Sequence, residues 1–166
     1  GGLPRLVKPA PAWERARLAR HLAAVIIATD DERIGRVVDA FGGKYVMTSP
    51  DHPSGTDRLA EAVAAIDAEI IVNIQGDQPF LDPLMIDEAV QPLLDEPDLQ
   101  MSTLMHPIAR TEDLQDPSVV KVVTNHQGNA LYFSRSLIPY PRQKIEHKVF
   151  EHVGLYVYRK AFLLKL

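Results

Sequence analysis

The sequence contains no cysteine. That excludes a disulfide framework, a thiolate nucleophile, an iron–sulfur cluster and a cysteine-ligated zinc site. The six histidines do not compensate: His21, His52, His106, His126, His147 and His152 show neither H-x-x-x-H nor H-x-H spacing, so a histidine metal centre is not expected. Long hydrophobic runs are missing too. The longest, over residues 22–28, falls far short of the roughly 20 residues of a membrane helix, and no basic-then-apolar leader opens the chain. Neither membrane insertion nor secretion is therefore expected. Positive charge is not in excess, since 18 Lys+Arg face 22 Asp+Glu for a net charge of −4. That balance argues against nucleic acid as a partner, because such binding rests on a basic face. The G-x-G-x-x-G, Walker and G-x-S-x-G signatures are all absent, which disfavours dehydrogenases, P-loop NTPases and α/β-hydrolases. What remains is a soluble, cytoplasmic globular domain, and 166 residues suffice for a buried core.

Proline is plentiful, at 13 residues, and Pro4, Pro9 and Pro11 crowd into the start. That opening reads as irregular chain. The final stretch, 159–166, reads as a helix that stops without a capping residue. Both features suggest a chain incomplete at its two ends.

Between the ends, strand-like and helix-like patterns alternate. A continuous apolar run over 23–29 fits a strand buried on both faces. Ile34, Val37, Val38 and Phe41 then recur at helical spacing, ending at Gly42-Gly43. Residues 44–48 suggest a second strand. Ser54 with Asp57 three residues later suggests a capped helix whose buried stripe is Leu59, Val63 and Ile66. Residues 69–74 form the clearest strand, and a helix follows from Pro83. The pattern βαβαβα predicts a doubly wound, Rossmann-like α/β sheet. Beyond Pro97, strands are expected over 100–106, 119–123, 130–134 and 150–159, with Asn125 to Asn129 closing a hairpin. The expected organisation is one domain over 1–166: an irregular remnant (1–12), a nucleotide-binding βα half (13–99) and a truncated sugar-binding and dimerisation half (100–166).

Four places carry chemistry-bearing residues. Asn73-Ile74-Gln75-Gly76-Asp77-Gln78-Pro79 lies at a strand's carboxyl end, where open α/β sheets bind ligands. A carboxylate there suits Mg²⁺ on nucleotide phosphates, although a polar turn produces the same pattern. His52-Pro53-Ser54-Gly55-Thr56-Asp57-Arg58 enters a helix N-terminus with its unpaired N–H groups, and a plain capping loop explains Ser54 equally well. Arg135 follows a strand and suits a carboxylate fork or simple solvation. On the strand 151–158, period-two alternation puts Val153, Leu155 and Val157 on a core face. His152, Gly154, Tyr156 and Tyr158 fall on the other face, which reads as a cleft wall or a half-exposed sheet surface.

Taken together, these stretches resemble the 3-deoxy-manno-octulosonate (KDO) cytidylyltransferase family, the CMP-KDO synthetases. The matching text is Ile26 through Asp31, His52-Pro53-Ser54-Gly55-Thr56-Asp57-Arg58-Leu59-Ala60-Glu61, Val72 through Pro79, Val119-Val120-Lys121-Val122-Val123, Ala130 through Pro139 and His152 through Arg159. The resemblance implies a nucleotidyltransferase sheet with an added β-hairpin region. It implies an enzyme joining CTP and KDO into CMP-KDO and pyrophosphate for lipopolysaccharide synthesis, with Mg²⁺ as cofactor and a homodimer built around the hairpin. By the same match, Asp77 is the catalytic metal ligand, and Ser54, Gly55 and Arg58 line the cytidine site. Gln75, Arg135, His152 and Tyr156 contact the acidic sugar. The family opens with a strand and a phosphate-cradling R-x-x-S-x-R-x-P-x-K loop. Leu3 to Pro9 keeps an echo of it, with Arg5 and Lys8 as the phosphate contacts. A sister enzyme for sialic acid or another acidic deoxy sugar, and a non-catalytic nucleotide-binding or dimerisation module, are the alternative readings.

Overall fold

The computed structural model describes residues 11–75, 81–144 and 147–166. Arg5 and Lys8, with the rest of the proline-rich start up to residue 10, lie outside the described residues, as does Asp77. The fold is α/β, and the chain divides into two compact units, residues 1–102 with 155–166, and residues 103–154.

The first unit opens with α1 (Pro11–Ala16), so residues 11 and 12, expected to be irregular, already belong to a helix. Proline is tolerated there because the first helical N–H has no intrahelical partner anyway. Strand β1 (Ile26–Thr29), helix α2 (Glu32–Ala40) and strand β2 (Lys44–Met47) follow. The strands pair in parallel, Ile26 against Lys44 through Thr29 against Met47. A parallel pair needs a crossover, and α2 supplies it. Asp31 caps α2 by accepting the Arg33 N–H, and Gly42 at φ 73° turns the chain back. That positive φ is why glycine follows the helix.

Helix α3 (Gly55–Ala64), strand β3 (Ile70–Ile74) and helix α4 (Pro83–Asp95) complete the run of alternating elements. Here the structure departs from a single parallel sheet. Among the described residues β3 takes an antiparallel partner, the end of strand β7 (Phe150–Arg159), with Ile70 against Arg159 and Ile74 against Leu155. Apolar runs identify strands, but not which strand they pair with. Helix α5 (Lys160–Leu163) follows directly, shorter than the helix expected over 159–166. Val63, Ile71, Tyr158 and Leu163 form a buried cluster with Leu59, Ile66, Tyr156 and Phe162 packed on it. Tyr158 therefore belongs to the core and not to a cleft wall. The alternation was right, but α3 and α5 residues cover the second face of β7 as well.

Arg159 ties this same end of β7 to α4. Its guanidinium donates to Leu93 O at 2.6 Å and Leu99 O at 2.9 Å. Asp87, buried on α4, accepts the N–H groups of Arg20 and His21 at 3.2 and 2.9 Å, tying the entry to β1 onto that helix.

Strand β4 (Met101–Pro107) leads into the second unit, followed by a 3₁₀ turn (Thr111–Leu114), β5 (Lys121–Thr124) and β6 (Ala130–Ser134). β5 and β6 form the expected hairpin, with Lys121 opposite Ser134 and a bulge after Val123. Asn125 closes it by accepting the Gln127 and Asn129 N–H groups, and Gly128 takes φ 84°. On its other edge β5 pairs with the start of β7, Lys121 against Glu151 and Val122 against Phe150.

Ile86 on α4 is fully buried. Ile86→Ala should lower the unfolding free energy by about 2–5 kcal/mol, read as a lower denaturant midpoint at unchanged slope.

Candidate functional site

In the first unit, parallel β1 and β2 end together, and the Thr48 N–H bonds Thr29 O at 2.9 Å. Two aspartates leave β1 in different roles. Asp31 is occupied by Arg33, whose backbone N–H and guanidinium both donate to it. Those bonds hold its carboxyl at about 2. Asp30 instead receives the Arg58 guanidinium at 2.7 Å. That bond lowers the Asp30 pKa and raises that of Arg58. Arg58 is thus oriented before any ligand arrives.

Ser54 caps α3 as expected: its Oγ accepts the Asp57 N–H at 3.2 Å and donates to the Asp57 carboxylate at 2.5 Å. The reciprocal arm of a capping box is replaced by this hydroxyl–carboxylate bond. Gly55 begins the helix, and a Cβ added there would meet nothing within 4 Å. No packing demand explains that glycine, and the backbone around it faces open space. Behind the loop stands Glu61, which accepts the Ser49 N–H at 2.9 Å and contacts His52 Nε2. These bonds, His52 first, lower the Glu61 pKa.

At the exit of β3, Gln75 is exposed. Tyr156 on β7 pairs in register with Asn73, two residues before Gln75. Its ring stacks on Tyr158 with centroids 6.1 Å apart, and burial raises the pKa of both phenols. The sequence places Asp77 two residues after Gln75.

The second unit carries His152 and Arg135. His152 Nε2 lies 2.8 Å from Thr103 Oγ1, and Phe133 meets the ring edge-on at 4.9 Å. Burial lowers its pKa, favouring the neutral imidazole. Arg135 is exposed just past β6, with Nη1 donating to Pro117 O at 2.7 Å. Among the described residues no carboxylate pairs with it. The register relates the two: Ser134, Lys121 and Glu151 form one row across β6, β5 and β7. Arg135 and His152 each stand one residue further on. Their backbones are therefore two strand spacings apart, roughly 10 Å, within side-chain reach of one small anionic ligand.

The structure thus gathers Ser54, Gly55 and Arg58 around one helix entry, Gln75 at the exit of β3 next to the strand that carries Tyr156, and Arg135 and His152 each one residue beyond the row that joins β6, β5 and β7. It also reveals partners that motif reading passed over. Asp30 and Glu61 are acidic residues inside the matched stretches, but the partner of Asp30 lies 28 residues away and those of Glu61, His52 and Ser49, lie 9 and 12 away. Thr103 had no signal at all.

Residues 12–166 match the cytidylyltransferase family model. The chain belongs to the cytidylyltransferase family. Two relatives are named 3-deoxy-manno-octulosonate cytidylyltransferase. That of Solibacter usitatus is 54% identical, over 92% of this chain and 61% of its own length. That of Syntrophotalea carbinolica is 50% identical, over 92% of this chain and 64% of its own. A solved structure of CMP:2-keto-3-deoxy-manno-octonic acid synthetase complexed with CTP superposes with a TM-score of 0.86 at 46% identity. It covers 91% of this chain and 62% of that one. The chain therefore spans under two thirds of the length of these relatives. No helix among its described residues is long and apolar enough to cross a membrane.

Because the folded Asp31 carboxyl lies at about 2 against an ordinary 3.8, its contribution to stability is fully present above pH ~4 and is lost as pH falls toward 2. Asp31→Ala should lower stability at pH 7 and remove that part of the acid sensitivity. Asp31→Asn, which keeps the helix cap, should lose less at pH 7. Denaturant unfolding repeated across this pH range reads both.

Proposed function

We propose that this protein is a CMP-KDO synthetase, transferring the cytidylyl group of CTP to KDO for lipopolysaccharide synthesis in the cytoplasm. The observation that carries this reading is the match of 91% of the chain to a synthetase bound to CTP, supported by relatives of that name at about half identity. The anomeric hydroxyl oxygen of the sugar attacks the α-phosphorus. The bond from that phosphorus to the bridging oxygen breaks, pyrophosphate leaves, and the hydroxyl proton passes to solvent. No covalent enzyme intermediate is needed, so catalysis is positioning together with stabilisation of phosphate charge.

The residues divide accordingly. Ser54, Gly55 and Arg58 bind the cytidine end, with the open backbone at Gly55 and the preset Arg58 guanidinium supporting that role. Arg5 and Lys8 remain the proposed phosphate contacts. Gln75, Tyr156, His152 and Arg135 take the sugar. The exposed guanidinium suits the sugar carboxylate, and the neutral imidazole a hydroxyl. Mg²⁺ with a nucleoside triphosphate needs only one or two carboxylates, the remaining ligands being phosphate oxygens and water. Among the described residues no cluster of three or more metal-ligating side chains occurs, and the proposal assigns the ion to Asp77. When bound, it neutralises developing phosphate charge. A homodimer through the β5–β6 hairpin accounts for Leu131 and Tyr132, which are 65% and 64% exposed on β6.

The test is pyrophosphate release by the full-length gene product with CTP, Mg²⁺ and KDO. Asp77→Asn should lose turnover by on the order of a hundredfold while remaining folded by circular dichroism. Turnover with sialic acid and none with KDO would transfer the assignment to a sister enzyme. CTP binding without pyrophosphate release from any acidic sugar would mark a non-catalytic module.

A further inference from the structure

Lys121 is the most deeply buried polar side chain among the described residues, with no exposed surface, and no step proposed above uses it. It opens β5, with two valines before it in the sequence and two after, and burying an amino group there is costly unless its hydrogen bonds are satisfied. The structure offers it two backbone carbonyls. Nζ donates to Asp116 O at 2.6 Å and lies 3.4 Å from Arg135 O. Asp116 in turn holds its own turn closed, its carboxylate accepting the Ser118 N–H at 2.8 Å and the Ser118 hydroxyl at 2.6 Å. The residue between them, Pro117, offers the carbonyl that the Arg135 guanidinium bonds. The chain on either side of Arg135 is fixed as well, because the Ser136 N–H donates to Ser134 Oγ at 3.0 Å.

These contacts close a ring. Lys121 grips the turn that carries Pro117, Pro117 grips the Arg135 side chain, and Lys121 approaches the Arg135 backbone. In the register Lys121 also lies directly opposite Ser134 and Glu151, the residues immediately before Arg135 and His152. Side chains alternate faces along a strand. The amino group therefore works from the face opposite the one that carries His152, and reaches the Arg135 backbone just past the end of β6. We propose that Lys121 is a positioning residue: it fixes the Asp116–Pro117–Ser118 turn and the Arg135 backbone so that the Arg135 guanidinium is held ready for an anionic sugar. The consequence for substrate binding rests on the acidic-sugar reading above; the positioning itself does not.

Two measurements separate these levels. The first labels Arg135 with a phenylglyoxal and follows its modification by peptide mass spectrometry. Lys121→Met, close in volume and without hydrogen-bond donors, should speed Arg135 modification several-fold, with Arg33 as an unaffected internal reference. An unchanged rate overturns the positioning role, whatever the enzyme's substrate. The second compares kinetics with KDO for Lys121→Met, Arg135→Ala and the double variant. Lys121→Met should raise KM for KDO about tenfold, leave KM for CTP unchanged, and add nothing in the Arg135→Ala background, as expected for coupled residues. Independent, multiplying losses, or a general fall in kcat with KM intact, would show a merely structural lysine. If Lys121→Met does not fold, Asp116→Ala, which opens the same turn at a partly exposed position, should give the same faster labelling and KM pattern, and failure to do so rejects the proposal. Wild-type inactivity with KDO would reject the functional reading alone.

Discussion

The register of β7 is the constraint on which the rest depends. Leu155 must face Ile74, and Glu151 must face Lys121. A slip of one residue would move every side chain of the strand to the opposite face. Leu155 and Val157 would lose full burial, and Tyr158 would leave the cluster formed with Val63, Ile71 and Leu163. The same slip would carry His152 away from Thr103 and Tyr156 away from its place opposite Asn73. Burial of three residues thus sets the aim of two polar ones. Arg159 adds an end stop, since its guanidinium binds backbone carbonyls at the end of α4 and just beyond it.

A second constraint is local and electrostatic. The loops leaving β1 and β2 are held by acidic side chains that accept backbone N–H groups, Asp31 at α2 and Glu61 at Ser49. Such charge-assisted bonds are stronger than neutral ones, and the Glu61 bond holds the loop that leads to the Ser54–Gly55 helix entry.

Much of this was legible in the sequence, and the limits follow from the physics of each signal. Short apolar runs bounded by polar residues marked β1, β3 and β7, and Ser54 marked the start of α3, because periodicity and capping are local. Pairing is not local, so nothing in the run 69–74 announced an antiparallel partner some eighty residues downstream. Alternation along β7 separated its two faces correctly, yet could not tell that α3 and α5 residues cover the face bearing Tyr158. Local pattern likewise exposed Arg58 and Arg135 as candidates but not their opposite circumstances. The one overlooked local clue was Lys121. A lysine with two valines on each side interrupts a strand pattern without the alternation that would bring it to solvent, and such a residue must find acceptors inside.

The two arginines show how one side-chain type serves two tasks. Arg58 is neutralised in place by Asp30, which fixes its orientation but weakens its pull on a distant anion. In the proposed cytidine site it would therefore contribute alignment, with little ordering cost left to be met. Arg135 has no carboxylate among the described residues and is restrained only by a neutral carbonyl, so its full charge remains available to an incoming anion. A guanidinium in that state would ordinarily move freely in solvent. Holding it still without neutralising it requires carbonyl acceptors on a rigid support, and a turn anchored from inside by a buried lysine is such a support. The burial of Lys121 and the exposure of Arg135 are two sides of the same requirement: charge presented outward, with the restraint supplied by uncharged backbone groups.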